Sequence, residues 1–330
     1  MVGRILLGLC GAAVLGVGGA AVYLLSVFPQ VRPALTETIE ATPARLARGT
    51  YLAEHVLACT ECHADRDWTR FSAPALAPVG AGRTSCLGRD EPAAGLAAEF
   101  PGRICFPNIT ADRETGVGDW TDGELLRAVR EGVDRDGHTL FPIMPYFIFR
   151  QLSDADARSL VVWIRSLPPV VREHPAKAVD FPVNLFIRLV PRSLANPVAA
   201  PDAADSVAYG GYLAQIGRCA FCHSPRRGQN PEPLPGLLFA GGNEFHGAFG
   251  VLRSSNLTPH PSGLGGTSRE GFIELFRRHA LPAPVAPEQN TIMPWSAYAG
   301  MTDADLGALY DYLRTVPPVA SPAAGLRPAR

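Results

Sequence analysis

The residues best suited to chemistry in this 330-residue chain form two copies of one pentad, Cys59-Thr60-Glu61-Cys62-His63 and Cys219-Ala220-Phe221-Cys222-His223. Two cysteines three apart with a histidine next admit three chemistries: a redox dithiol, half of a zinc site, or covalent attachment of a haem. A thioredoxin-type dithiol calls for a strand before and a helix after the motif in an α/β unit, and this sequence shows no such alternation. A structural zinc site needs four ligands, and neither copy is accompanied by a second CxxC or HxxxH pair. Haem c fits best. Thiols at i and i+3 share one helical turn and can add to both vinyl groups of the porphyrin, which sets the following residue, His63 or His223, under the iron.

The opposite face of each iron needs a ligand or stays open. The chain has four methionines. Besides Met1 they are Met144, Met293 and Met301, and two of these, Met144 and Met293, occupy equivalent Ile-Met-Pro loops downstream of the two pentads. An isolated methionine is usually core filler. The matched placement instead predicts Met144 and Met293 as axial ligands, with Met301 as the alternative for the second site. His138, His246 and His279 have no counterpart in the other copy and read as surface histidines. With histidine and methionine on opposite faces, the iron is closed and low-spin, and the thioether raises its potential relative to two histidines. Such a site moves electrons without binding a substrate, so no catalytic residue is assigned.

The elements that position these residues are also duplicated. "GTYLAEHVLACTECH" from Gly49 recurs as "GGYLAQIGRCAFCH" from Gly210, "PNIT" from Pro107 as "SNLT" from Ser255, and "TDGELLRAVREG" from Thr121 as "TSREGFIELFRR" from Thr267. Thr121 with Glu124 and Thr267 with Glu270 have the spacing of helix-opening capping boxes. The last pair, "LSDADARSLVVWIRSLPPV" and "MTDADLGALYDYLRTVPPV", matches without a gap, with Ser153 and Thr302 as expected N-caps. Leu160, Trp163, Ile164 and Leu167, and likewise Leu309, Tyr312, Leu313 and Val316, recur at i, i+3, i+4, i+7, the apolar stripe of an amphipathic helix. A double proline ends each helix.

The expected fold is all-α: an N-terminal transmembrane helix followed by two tandem haem-binding units. From Ile5 to Phe28 no charged residue occurs, which is long enough to cross a bilayer. The apolar run continues past the small residues Gly18 to Ala21, so an uncleaved anchor is expected, with Arg4 cytoplasmic and the remainder exported. Cys10 reads as a small apolar residue within that helix. Boundaries follow as 1–30 for the anchor, 45–172 for the first unit, 173–205 for a packed connector, 206–319 for the second unit, and 320–330 for a tail. The apolar stretch Phe181 to Val190 in the connector is expected to pack across both units, the other use for it being an interfacial membrane contact. A net charge of -1 with no basic stripe argues against nucleic acid as a partner.

The pentads, the "GxYLA" helix before each, the segment "NITADRETGVGDWTDGELLRAVREG", the "MPY" loop and the final helix ending in Pro-Pro resemble membrane-anchored dihaem class I cytochromes c, similar to the cytochrome subunits of periplasmic alcohol and aldehyde dehydrogenase complexes. The resemblance covers nearly all of residues 45–319. It implies two covalently bound haem c groups held by Cys59, Cys62, His63, Met144, Cys219, Cys222, His223 and Met293. It also implies an electron-transfer role between a periplasmic dehydrogenase subunit or soluble carrier and the quinone or terminal-oxidase side of the respiratory chain. Such a protein lies in the cytoplasmic membrane, single-pass, with its haem units periplasmic. Several subunits of this kind carry three haem units, whereas this chain has two. The resemblance further places Gly49 and Tyr51 against the Trp163 helix, and Gly210 and Tyr212 against the Tyr312 helix. Trp120 has no counterpart in the second unit. Cys86 and Cys105 both fall in the longer loop of the first unit, where an oxidising compartment favours a disulfide. The alternative reading is a haem enzyme, such as a dihaem peroxidase or thiosulfate dehydrogenase, with one catalytic haem.

Overall fold

The computed structural model describes residues 2–88, 100–227 and 232–321. The side chain of Arg4 and the tail beyond residue 321 lie outside the described residues. The chain is mainly helical, and in its first helix, α1 (Val2–Val27), the span Ile5–Val27 is long and apolar enough to cross a membrane and contains no buried residue.

The first repeat opens with α2 (Pro43–Tyr51), capped by the Thr42 hydroxyl on the Arg45 N–H with Pro43 in the first turn. It continues through a wider turn at Leu52–Val56 to a short 3₁₀ turn at Cys59–Glu61. Then come α3 (Asp122–Glu131), α4 (Tyr146–Phe149) and α5 (Asp154–Ser166). The connector holds α6 (Val183–Phe186) and a turn at Ile187–Leu189. The second repeat runs through α7 (Ser206–Ile216), α8 (Cys219–His223), α9 (Arg269–Arg277), α10 (Trp295–Tyr298) and α11 (Asp303–Thr315). Strands are few. β1 (Gly102–Arg103) pairs antiparallel with β2 (Ala178–Val179), and β3 (Glu244–Gly247) forms a hairpin with β4 (Gly250–Arg253).

Local signals set most helix ends. Thr121 and Glu124 form the reciprocal capping box at α3, and Ser153 and Thr302 cap α5 and α11. Thr267 does not cap α9. Its carbonyl accepts the Tyr310 hydroxyl at 2.7 Å, and the helix starts one residue later with the Ser268 hydroxyl on the Gly271 N–H, which removes Glu270 from the capping position.

The two stripes read from the sequence form the core. Leu160, Trp163, Ile164 and Leu167 are buried, as are Leu309, Leu313 and Val316, while Tyr312 is half-buried. In each repeat the first helix crosses the last at a glycine. A Cβ on Gly49 would drive into the Ser159 carbonyl and reach 3.0 Å from Trp163 Cβ, and one on Gly210 would meet the Ala308 carbonyl. Gly210→Ala is therefore expected to destabilise the fold by about 1–3 kcal/mol, because backbone cannot yield as a flexible side chain does. Gly271→Ala in α9, where an added Cβ finds no neighbour nearer than 3.4 Å, is the control and should stay within about 0.5 kcal/mol. Chemical denaturation of both variants reads the difference, and equal midpoints would contradict the crossing argument.

The tyrosines two positions after those glycines do something the sequence did not suggest. Tyr51 of the first repeat donates to Asp305 at 2.6 Å and accepts the Thr302 N–H at 3.1 Å, both at the start of α11. Tyr212 of the second repeat donates to Asp156 at 2.7 Å and accepts the Ser153 N–H at 3.0 Å, at the start of α5. The repeats thus exchange equivalent bonds about a local pseudo-two-fold axis, on which the equivalent residues Arg48 and Tyr209 meet at 3.3 Å. One apolar core runs through both.

Among the described residues, the connector is bonded along the first repeat. Lys177 bonds the Thr139 carbonyl, the Leu194 N–H bonds Glu131, and Val198 bonds Asp154. Of its apolar stretch Leu185 is buried, whereas Phe181, Phe186 and Leu189 are exposed. A disulfide joins Cys86 to Cys105, beside a small second core of Leu87, Ile104 and Phe106.

Candidate functional site

Each pentad is preceded by a left-handed residue, Ala58 (φ 53°) or Arg218 (φ 64°), which turns the chain sharply out of the preceding helix. The next residues coil into one turn, so each cysteine pair shares a face at i and i+3. None of the four cysteines is joined in a disulfide. Burial pushes the Cys59 and Cys219 thiols up to about 12 and raises that of Cys222 as well. A redox dithiol requires the opposite, a thiol lowered enough to be a thiolate. Zinc fares no better. Among the described residues, the one cluster of three metal-donor side chains is Asp134, Asp136 and His138, which includes no member of either pentad.

The histidines carry the most specific geometry. His63 and His223 are each only 8% exposed. Nδ1 of His63 lies 2.9 Å from the Pro107 carbonyl, and Nδ1 of His223 lies 2.8 Å from the Ser255 carbonyl. A carbonyl only accepts, so each Nδ1 carries the hydrogen, and Nε2 is left as a free lone pair with a fixed direction. Burial lowers the affinity of both rings for a second proton, which keeps that lone pair available. These are the features a proximal iron ligand requires. The carbonyl of each histidine in turn accepts from a loop glycine, Gly82 at 3.0 Å and Gly241 at 2.7 Å.

What holds those two carbonyls is a clasp whose parts the sequence displayed without a role. Pro107 and Ser255 precede Asn108 and Asn256 of the matched Asn-x-Thr elements. Asn108 Nδ2 donates to the Val170 carbonyl at 2.7 Å, while its Oδ1 accepts the Thr110 N–H. Asn256 Nδ2 donates to the Val319 carbonyl at 2.8 Å, and its Oδ1 accepts the Thr258 N–H. Val170 and Val319 directly follow the double prolines, so each clasp ties the end of the last helix to the loop that orients the histidine.

Met144 and Met293 are half-buried against the main core and hold equivalent backbone positions. Each carbonyl accepts at 2.8 Å from the residue two ahead, Tyr146 or Trp295, with a proline between them capping a short helix. Met301 is 4% exposed inside the core. His138 and His246 are exposed beside carboxylates, whereas His279 is stacked between Phe71 and Trp295 at 4.8 and 5.0 Å. Met144, Met293, His63 and His223 thus fall in like environments in the two repeats, and the matched donor set, with two unbridged cysteines on each turn, fits a covalently held haem.

The two pentads also meet. Arg218, directly before Cys219, donates at 3.0 Å to the Leu57 carbonyl, two residues before Cys59. Its Nε is buried without a hydrogen-bond partner. Phe147 of the first methionine loop lies 5.7 Å from Phe221 inside the second pentad. In the reverse direction, Ser72, downstream of the first pentad, donates to the Met293 carbonyl at 2.9 Å, and its N–H bonds Asn290 at 2.9 Å. Each repeat therefore braces the other's site. Inside the first pentad, Glu61 pairs with Arg66 at 3.0 Å; at the equivalent positions Arg226 instead stacks over the Phe221 ring at 3.8 Å.

Such a site on a mainly helical, duplicated scaffold fits a covalently held haem, and several known proteins similar to this chain are named as cytochromes. The chain is similar to the cytochrome c subunit of a quinone-dependent alcohol dehydrogenase from Gluconacetobacter polyoxogenes, 28% identical over 87% of this chain and 59% of that one. It is similar to a nicotinate dehydrogenase subunit from Pseudomonas putida, 40% identical over 46% of this chain and 13% of that one. A third relative, a dihaem c-type cytochrome of Cereibacter sphaeroides, is 28% identical over 63% of this chain and 72% of that one. The chain thus spans little more than half of the alcohol dehydrogenase subunit and about an eighth of the nicotinate dehydrogenase subunit. No protein-family model matches it.

Proposed function

We propose that this chain is a dihaem c-type cytochrome that carries electrons from a dehydrogenase, as the cytochrome subunits it resembles are named for, toward the quinone or oxidase side of a respiratory chain. Cys59 and Cys62 hold one haem and Cys219 and Cys222 the other. His63 with Met144, and His223 with Met293, would be the protein ligands of the two irons. The helix α1 anchors the protein in the cytoplasmic membrane, with both haem units on the periplasmic side. The observation that carries this reading is the matched histidine geometry, with Nδ1 held by a backbone carbonyl in both repeats.

When bound, haem c supplies a one-electron couple and needs no open coordination position. The protein's part is to keep the site dry, fix the histidine lone pairs, and hold the two repeats against each other. The contact between the pentads suits transfer within the chain. A pyridine haemochrome assay on the purified protein should give two haems per chain, with low-spin ferric signals at both. Fewer than two haems would end this reading. A high-spin ferric signal at one of them would favour an enzyme with a catalytic haem.

Arg218 offers a sharper check. A buried guanidinium stays charged and disfavours the extra positive charge of a ferric iron. Arg218→Met is expected to lower the midpoint potentials of both haems, and Arg218→Lys to recover part of the shift. Spectroelectrochemical titration reads both effects; unchanged potentials in a variant that retains two haems would remove Arg218 from the electrostatics of the site.

A further inference from the structure

The connector contains an exposed apolar patch that the electron-transfer reading does not use. Phe181, Phe186 and Leu189 are 71%, 56% and 40% exposed, while Leu185, on the inner side of α6, is 8% exposed. The patch is tied to the end of α1. Arg188 donates to the Leu24 carbonyl at 3.3 Å, to the Leu25 carbonyl at 3.0 Å, and to the Phe28 carbonyl. The last carbonyls of a helix have no partner within it, and a cation there also complements the helix dipole. A second tie runs from the Arg32 N–H to the Ser193 hydroxyl at 2.7 Å. The helices α1 and α6 are in contact.

These ties fix where the patch lies relative to a bilayer. At about 1.5 Å per residue, a helix the length of α1 spans roughly 39 Å, somewhat more than the roughly 30 Å of hydrocarbon it would cross. Its C-terminal turn therefore emerges at the lipid–water boundary. Tyr23 and Phe28, edge to face at 6.2 Å, mark that level, since aromatic rings collect at the headgroup interface. Arg188 grips this same turn, so α6 and its exposed rings are held at the same height.

We infer that Phe181, Phe186 and Leu189 form an interfacial seat that dips into the headgroup and upper acyl region of the bilayer, so that the repeats are held against the membrane surface and not merely tethered to it. Lipid is the occupant because the patch is continuous with the end of α1, whose span Ile5–Val27 is apolar with no buried residue. The inference rests on the proposed anchoring by α1, and the test separates the two.

With four cysteines bound to haem and Cys86 bridged to Cys105, Cys10 is the one reactive thiol in the loaded chain. A spin label on Cys10 of the full-length holoprotein in phosphatidylcholine/phosphatidylglycerol nanodiscs reports whether α1 is in lipid. The same label on Phe186→Cys in a Cys10→Ser background reports on the seat, at a position exposed enough to take it without disturbing the core. Both labels should collide more with dissolved oxygen than with a water-soluble nickel chelate, Cys10 more strongly so. A Phe186 label with aqueous collision behaviour beside a lipid-buried Cys10 label would overturn the seat and leave the anchor standing. An aqueous Cys10 label would overturn both. A Phe186 label shielded only after a dehydrogenase subunit is added would replace lipid by a protein partner.

Discussion

The double variant Cys219→Ser, Cys222→Ser is expected to carry one covalent haem where the parent carries two, so that the haemochrome yield per chain falls by half. The expectation follows from the separate donor sets of the two attachment turns. Each has its own cysteine pair, its own carbonyl for the histidine and its own asparagine clasp, with Asn108 closing on Val170 and Asn256 on Val319. Removing both sulfur atoms from α8 leaves the first turn with its complete donor set. The thioether bonds are the only covalent hold, so denaturing electrophoresis with haem staining should show the same halving. A yield that stays at two haems per chain would mean that the second pentad is not an attachment site. A yield of zero would show that the first site cannot be loaded without the second, which the cross-bracing by Ser72 and Arg218 makes worth measuring.

The largest effect on stability is expected at Asp156. This carboxylate is 6% exposed and accepts from Arg48 through both oxygens, at 2.8 and 2.9 Å, and from the Tyr212 hydroxyl at 2.7 Å. Burial works against the charge of Arg48, yet its bonds to Asp156 raise its proton affinity above the usual value. Asp156→Ala strands a guanidinium and a phenol at the junction of the repeats, a change expected to destabilise the protein by about 3 kcal/mol. The equivalent Asp305→Ala removes only the bond to Tyr51 at a half-buried position, so about 1 kcal/mol is expected. Thermal unfolding of the two variants, followed in the Soret band, tests the order. A larger loss at Asp305 would contradict the assignment of Asp156 as the anchor of the junction.

That inequality between equivalent residues is a property of the assembled protein. The sequence shows that Tyr51 matches Tyr212 and that Asp156 matches Asp305, and a simple duplication would place each pair within its own repeat. In the structure each tyrosine crosses to the other repeat, and Arg48 has no charged counterpart because Tyr209 occupies its position.

What the sequence determined by itself was what depends on short range. The pentads, the apolar stripes, the capping box at Thr121, the caps at Ser153 and Thr302, and the unbroken apolar run of α1 are all set by residues within a few positions of one another. Even there a one-residue choice escaped, since Thr267 and Ser268 are both good caps and only the bond from Tyr310 decides between them. The tertiary structure alone decided which carbonyl faces each histidine, that Asn108 and Asn256 hold the returning chain, that the pentads meet through Arg218, and that the connector follows the first repeat to the end of α1. Those contacts join residues tens to hundreds of positions apart. Their partners are backbone carbonyls, so they leave no periodicity or spacing to read; the packing of two like repeats against each other selects them.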